Sequence, residues 1–375
     1  MLKGVHLTLL IGPAVPVPAP HEVIDALTSV SVSHDKERSG FQLSFGVSKK
    51  SLLLETLLPA GYFDPIVTRV VIIATLSGFP HVLMDGLVTR QELQPSSDPG
   101  KSTLTITGED LSLAMDIAQI TRPFPAMNEY TIVNTVLAPY AALGVIPLVI
   151  PPIITLLNSP TEGWDTQTKT TDRAYIRSLA QRCGYVFFVR PGPLPLQSTA
   201  YFGPDVNLPV PQPALSINMD AHSNVESLSF SLDGLAKKIR VFTIFDPFTR
   251  KIPITIPLPN ISAFKPPLGL RPTPPAKIEF DSEGARLRPD QAARGILGYL
   301  MHNSAAISGS GSLDVMRYGH VLEARMLVGV RGAGLAYDGM YYVDSVTHSL
   351  KRGEYKQNFT LSRDGLISNT PRVLP

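Results

Sequence analysis

The sequence is poor in the residues that carry most metal and covalent chemistry. It has one cysteine, Cys183, so no intramolecular disulfide can form. That thiol falls at the end of an expected helix, just before Gly184, with no local feature that would lower its pKa. It reads as a small buried apolar side chain, and the compartment as reducing or indifferent to disulfides. The eight histidines are dispersed from His6 to His348, and none falls in an H-E-x-x-H or Cys-His zinc pattern. There is no acidic calcium loop, no G-x-S-x-G elbow and no Walker A loop. Gly329, Gly332 and Gly334 make a glycine-rich turn, but it lies between strands and no helix follows to bind a nucleotide. No cofactor and no metal is expected. The single tryptophan, Trp164, argues against a carbohydrate-binding β-sandwich, which should expose clustered aromatics.

Charge is also scarce. Charged residues are 17% of the chain and the net charge is +2, which argues against a dedicated nucleic-acid binder but leaves room for a locally charged channel. A lightly charged surface on a chain that is 44% hydrophobic suits burial under partners. No continuous membrane helix is expected either. Val136 to Leu157 is uncharged and long enough to span a bilayer, but Pro139, Pro147, Pro151 and Pro152 interrupt it. It reads as an apolar segment at a subunit contact, and stable membrane insertion is not expected. The N-terminal apolar run is broken by Gly12 and Pro13 and reads as a first strand rather than a signal peptide.

What the chain does have is strands. His320 to Val330, Met340 to Leu350 and Tyr355 to Arg363 alternate apolar and polar residues, with β-branched and aromatic enrichment, around turns at Gly332–Gly339 and Lys351–Glu354. Val5–Ile11, Val23–Ser33, Gly40–Val47, Thr68–Leu76, His81–Leu93 and Ser102–Thr107 are strands by the same signals, and Ser51–Leu58 is helical. From Glu129 the period becomes helical, with Gly144 as a stop; Thr171 or Asp172 opens a second helix that Gly184 ends before the strand Tyr185–Val189. Ten prolines between 247 and 289 suggest an extended arm. Asp290 caps a helix to Asn303 with Ala293, Ile296, Leu297 and Leu300 inward, and Ser308–Ser312 reads as a flexible turn. The fold class is therefore mainly β with an α+β insertion. A first β-barrel spans 1–118, an α/β insertion 119–224, a proline-rich linker or arm 247–289, and a second barrel 225–246 and 290–367.

Three groups deserve weighing as chemistry. Asp344 and His348 share a strand face, but a catalytic pair would want a third orienting group, so they read as a bonded or solvated sheet pair. Glu109 and Asp110 are adjacent and point to opposite faces, so they cannot readily flank one glycosidic bond; a cap for a helix over Leu111–Ala118 is the better reading. Lys237, Lys238 and Arg240 form a basic cluster that reads as a solvated face or a lumen contact.

Gly339-x-Tyr341-Tyr342-Val343-x-x-Val346-x-His348, Gly353-x-Tyr355 and Phe359-x-Leu361-x-Arg363-x-Gly365 resemble the end of the late control D family. Its members are baseplate hubs of contractile phage tails and related injection systems, similar to the hub part of type VI secretion spike proteins. Phe79-Pro80-His81, Asp85-Gly86-Leu87-Val88 and the run from Thr103 to Leu111 resemble that family's first barrel. Tyr175-Ile176, Leu179-Ala180, Gly184-Tyr185 and Tyr201-Phe202-Gly203-Pro204 resemble its small α/β element. The resemblance implies two tail-tube-like barrels and a homotrimer whose six barrels form a pseudo-sixfold ring. That ring would join a hexameric inner tube protein to a trimeric central spike, among other baseplate components. The implied place is a virion tail baseplate or phage-tail-like particle assembled in the bacterial cytoplasm, and the implied role is structural rather than enzymatic. Ten residues follow Gly365, without a β-helical needle or lysozyme-like domain, so the spike is expected to be a separate protein. Arg331, Lys351 and Arg352, on turns of the last barrel, are expected rim contacts. A lytic, peptidoglycan-cleaving tail enzyme is the alternative, and it lacks a visible catalytic cluster.

Overall fold

The structure is a computed structural model that describes residues 4–13, 15–35, 38–98, 101–153, 165–205, 208–245, 253–259, 267–280, 289–301 and 305–370. Trp164 and the end of the apolar run, 154–157, lie outside the described residues.

The first unit contains Val5–Pro13 (β1), Val17–Pro18 (β2), the helix His21–Ala26 (α1), Leu27–His34 (β3) and Ser39–Val47 (β4). A π-helical turn at Leu53–Leu57 leads to Thr68–Leu76 (β5), Phe79–Gln94 (β6) and Ser102–Asp110 (β7). The strands pair in the order β3-β4-β7-β6-β5-β1, with β2 at the end. In β4, Phe41, Leu43 and Phe45 are buried while Gln42 and Ser44 are not, the period-two pattern of a one-sided sheet. In β5, Thr68 to Ala74 are all buried, because both faces of that strand are covered.

The insertion contains Gln119–Phe124 (β8), Glu129–Leu137 (α2), Val145–Val149 (β9), Asp165–Thr171 (β10), Asp172–Cys183 (α3), Tyr185–Pro191 (β11) and Ser198–Pro204 (β12). Asn128 caps α2 by accepting from the Thr131 amide at 2.9 Å, and Thr171 caps α3 by accepting from the Ala174 amide. Gly184 ends α3 in the left-handed region, φ +69°, and a Cβ there would meet the Cα of Gly298 at 2.2 Å. A second core, separate from that of the two β-units, is built from Ile132, Val133, Ile176, Leu179, Phe202 and their neighbours. Cys183 is buried in it.

The second unit starts with Leu208–Ser216 (β13) and Val225–Leu232 (β14). Lys238–Phe245 (β15), Pro253–Pro259 (β16), Gly269–Pro272 (β17), Lys277–Phe280 (β18) and the helix Pro289–Met301 (α4) are inserted before it resumes. It continues through Ile307–Asp314 (β19), the helix Val315–Tyr318 (α5), Met326–Arg331 (β20), Gly339–Lys351 (β21), Glu354–Arg363 (β22) and Gly365–Ser368 (β23). Its order is β14-β19-β22-β21-β20-β13.

The two units are copies of one topology. β1, β3, β4, β5, β6 and β7 correspond to β13, β14, β19, β20, β21 and β22, and every pairing among these six strands of the first unit recurs in the second. The bulge between Leu27 and Ser29 on β3 recurs between Val225 and Ser227 on β14. The bulge between Val88 and Arg90 on β6 recurs between Val343 and Ser345 on β21. One difference is that β1 runs antiparallel to β5 while β13 runs parallel to β20. The units are joined by β3–β21, which makes one 13-stranded sheet around a shared core.

Several expectations need correction. Val23 to Ala26 belong to α1 rather than to a strand, and the strand expected from His320 begins only at Met326, after α5. Ser308–Ser312 is the middle of β19, not a flexible turn, and β19 pairs on both edges. Phe230 and Phe359 fill the space that Cβ atoms at Gly309 and Gly311 would occupy, so cross-strand rings replace the missing side chains. β15 leaves the second unit's sheet and forms a three-stranded sheet with β16 and β18. Part of the proline-rich stretch is therefore paired strand: β16 is an edge strand, where prolines cost no ladder bond on the open side. α4 begins at Pro289, so Asp290 lies inside it, and Ala293 is exposed while Leu297 packs on the second core. Neither unit is closed by β1–β3 or β13–β14 pairing among the described residues. No helix among the described residues is long and apolar enough to cross a membrane.

Candidate functional site

The surfaces that matter are the seam between the units and the strand edges that resemble it. At the seam, Val346 to Lys351 of β21 pair with His34 to Ser29 of β3, while the other edge of the same stretch pairs with β22. His348 faces Val32 across the seam and is buried. Its Nδ1 lies 2.8 Å from the Tyr355 hydroxyl and 3.2 Å from Gln357 Nε2. An amide N–H can only donate, so Nδ1 accepts and the ring is neutral with its proton on Nε2. Gln357 also brackets the backbone of Leu322, accepting from its N–H and donating to its carbonyl. His34 meets His348 edge to face at 5.6 Å between centroids. Burial lowers the His34 pKa to about 4, and nearby Arg325 pushes the same way. Burial also holds His348 well below the usual histidine value, with His34 and His81 adding to the effect.

A cavity of about 350 Å³ opens beside this pair, lined by His34, His81, His348, Phe188, Arg190 and Arg325 among others. The Arg325 guanidinium sits 3.9 Å from the Phe188 ring centroid and 3.8 Å from the Asp205 carboxylate. No cluster of three or more metal-ligating side chains occurs among the described residues.

Two strand edges that resemble the seam's partners are open among the described residues. β6 pairs with β5 only as far as Leu87, so Arg90 to Gln94 have β7 on one side and no strand on the other among the described residues. β14 pairs only with β19 among the described residues. Leu93 on the first edge is 42% exposed and Leu232 on the second 41%. Equivalent hairpins also present apolar tips: Phe79, 73% exposed, opens β6, and Leu335, 90% exposed, lies between β20 and β21. In the insertion, Ile146 and Leu148 are exposed on β9, the edge of its sheet. An open strand edge presents unpaired backbone N–H and C=O groups, a template for pairing with another chain.

The basic residues singled out in the sequence are not brought together. Arg331 ends β20 and is half-buried, its carbonyl accepting from the Ile217 amide. Lys351 and Arg352 are exposed at the β21–β22 turn, where Arg352 donates to the Asp25 carbonyl of α1 at 2.5 Å. Lys237 is buried, which lowers its pKa against the opposing field of Asp364, so the solvated-face reading fails for it. Lys238 pairs with Glu279 across the small sheet. Glu109 and Asp110 diverge: Glu109 accepts from Arg173 at 3.0 Å, and Asp110 caps the 3-10 turn Leu111–Asp116 through the Ser112 amide at 2.8 Å. His348 is bonded to tyrosine and glutamine rather than solvated beside Asp344. Sequence reasoning missed His34, Leu93, Phe230 and Leu232. The repeated Ser-x-Ser-x-Ser of Ser29–Ser33 and Ser227–Ser231 was the signal that could have found the last two.

No family model matches the chain, and no curated protein matches it. Solved structures do. The tail protein from Neisseria meningitidis MC58 superposes with a TM-score of 0.60 at 13% identity, covering 97% of this chain and 98% of that one. The 43 kDa tail protein of prophage MuSo2 from Shewanella oneidensis gives 0.58 at 12% identity, covering 97% and 100%. An E. coli component of the type VI secretion system, described as structurally similar to the T4 bacteriophage tail proteins gp27 and gp5, gives 0.54 at 11% identity, covering 93% and 77%. At these identities the likeness is one of fold.

Proposed function

We propose that this chain is a structural baseplate hub of a contractile tail or injection machine, not an enzyme. Three copies form a ring of six similar β-units, which joins a hexameric inner tube to a separate trimeric spike. The observation that carries this reading is the internal duplication. A trimer of a chain with two units of matched topology, register and bulges offers six near-equivalent faces on one side while keeping threefold symmetry elsewhere. The tail-protein folds of its structural relatives and the late control D resemblance of Gly339–Gly365 point the same way. So do the hydrogen bonds of the seam histidines, which run to side chains of the fold: His348 to Tyr355 and Gln357, and His34 to Ser39. The hairpin tips at Phe79 and Leu335 are two equivalent contacts per chain for a hexameric partner. Arg331, Lys351 and Arg352 are rim contacts, and Lys238 belongs to the arm that faces other baseplate components. The place of action is the tail baseplate or a tail-like particle.

The test is light scattering together with negative-stain imaging of the purified protein, followed by capture with candidate tube and spike proteins. A ring of six lobes at three times the chain mass supports the reading. A monomer that binds neither tube nor spike proteins overturns it.

A further inference from the structure

The duplication says more than that a ring forms: it specifies which strands close it. Within the chain, the seam joins β3 of the first unit to the second half of β21, antiparallel, through six residue pairs from Val346↔His34 to Lys351↔Ser29. Each partner in that join has a counterpart elsewhere in the chain whose edge is open among the described residues. The counterpart of β3 is β14, and the counterpart of β21 is β6. The pairings with the neighbouring strands align the residues. Val32 faces Phe41 as Phe230 faces Gly309, and Ser31 faces Gln42 as Ser229 faces Ser310. Likewise Leu93 faces Leu104 as His348 faces Gln357, each a fixed step past the shared bulge.

We infer that β14 of one copy pairs antiparallel with residues 91–94 of β6 in a neighbouring copy, repeating the seam between molecules. This rests on the ring reading above and fixes its contact. Carrying the seam's register over sets Gln91 opposite Leu232, Glu92 opposite Ser231, Leu93 opposite Phe230 and Gln94 opposite Ser229 of the neighbour. The ladder then stops at Pro95, which has no N–H to donate. The occupant is a second copy of this chain because the chain carries one of each half-join, and the same join already holds its own two units together.

The chemistry of the edges agrees. In the seam the inward face carries His348 and Val32, both buried. The transferred register places Leu93, Phe230 and Leu232 on that face, and it covers the two leucines that are more than 40% exposed in the single chain. The other face pairs Glu92 and Gln94 with serines, so no like charges meet. Each chain gives one edge and receives another, a head-to-tail contact of the kind that closes a ring.

Disulfide trapping tests the register. Opposed residues of an antiparallel pair have Cα atoms about 4.5–5.5 Å apart, inside the range a disulfide spans. Glu92→Cys and Ser231→Cys are made singly and together, with the wild type, whose Cys183 is buried, as control. Oxidation of a mixture of the two single variants should give a covalent dimer that neither forms alone, and the double variant should give a covalent trimer. The off-register pair Glu92→Cys with Ser227→Cys, about 13 Å along the strand from the matched position, should stay uncrosslinked. A trimer by light scattering without the Glu92–Ser231 crosslink, or with equal off-register crosslinking, overturns the pairing and leaves the ring standing. A crosslink in Ser231→Cys alone means two β14 edges meet each other, and also overturns it. A chain that stays monomeric with no crosslink at any pair overturns both the pairing and the ring.

Discussion

The guanidinium of Arg363 lies 4.4 Å from the centroid of the Tyr341 ring, and Arg363 is the largest fully buried side chain among the described residues. Its nitrogens donate to three carbonyls, Gly365, Asp338 and Ala336, at 2.7–2.8 Å. One side chain thus pins the β20–β21 turn to the last strands, and the Arg-x-Gly motif acquires a physical reason. Arg363→Lys keeps the charge but loses the planar fork. It should cost about 2–4 kcal/mol, read as a lower urea midpoint with an unchanged slope. A wild-type midpoint in this variant would show that the fork is dispensable.

Asp85 holds Arg69 through two bonds of 2.7 Å, with both side chains almost wholly buried. The Leu196 carbonyl and the Ser198 hydroxyl of the insertion approach the same pair, which links the first unit to the α/β element. Asp85→Asn leaves a buried cation without its counter-charge and should cost roughly 3–5 kcal/mol. Replacing both residues, Arg69→Met with Asp85→Leu, should cost clearly less than the single change. Equal losses in denaturant unfolding would mean that the pair is not the source of the effect.

Stability should fall with acid through the seam. His34 and His348 have folded-state pKa values below the unfolded value of 6.5. The unfolded chain therefore binds protons that the folded chain refuses. The contribution is fully present above pH 6.5 and is lost as pH falls, for His34 down to about 4 and for His348 further. His348→Gln keeps an acceptor for the Tyr355 hydroxyl. Relative to wild type, it should reduce the dependence of unfolding free energy on pH across this window by about one proton. Parallel curves for the two proteins in a urea series at stepped pH would place the acid sensitivity elsewhere.

Arg352 reaches α1 through the Asp25 carbonyl while its neighbour Lys351 is exposed, so both can meet a partner at the rim. Reversing both charges, Lys351→Glu with Arg352→Glu, should weaken capture of the proposed tube or spike partner, because Lys351 pairs with Ser29 inside the chain and not across the proposed contact between copies. An exposed pair of this kind contributes little to the fold, so the melting temperature should move by only a few degrees. Unchanged capture would remove these residues from the proposed rim contact.

Much of the architecture was legible because it rests on local chemistry. Thr171 and Gly184 bracket α3 as cap and stop, and the alternation in β4 and β22 declares their buried faces. β19 was not legible. Its Ile-Ser-Gly-Ser-Gly-Ser composition favours a turn, and only Phe230 and Phe359 from neighbouring strands make it a strand. β16 was hidden for the opposite reason, since prolines that argue for a linker are tolerated on an edge whose outer N–H groups need no partner.

The sequence by itself determined the fold class, the ends of α3, the turns at Gly332–Gly339 and Lys351–Glu354, and the absence of metal and nucleophile motifs. Each of these depends on neighbours within a few residues, through backbone preference or side-chain period. The tertiary structure alone decided that the two units share register and bulges, that β3 joins β21, and that His348 meets His34, more than 300 residues earlier in the chain. Strand pairing is a contact between distant segments with no period of its own. The open edges of β6 and β14 become visible only once every other strand has found its partner.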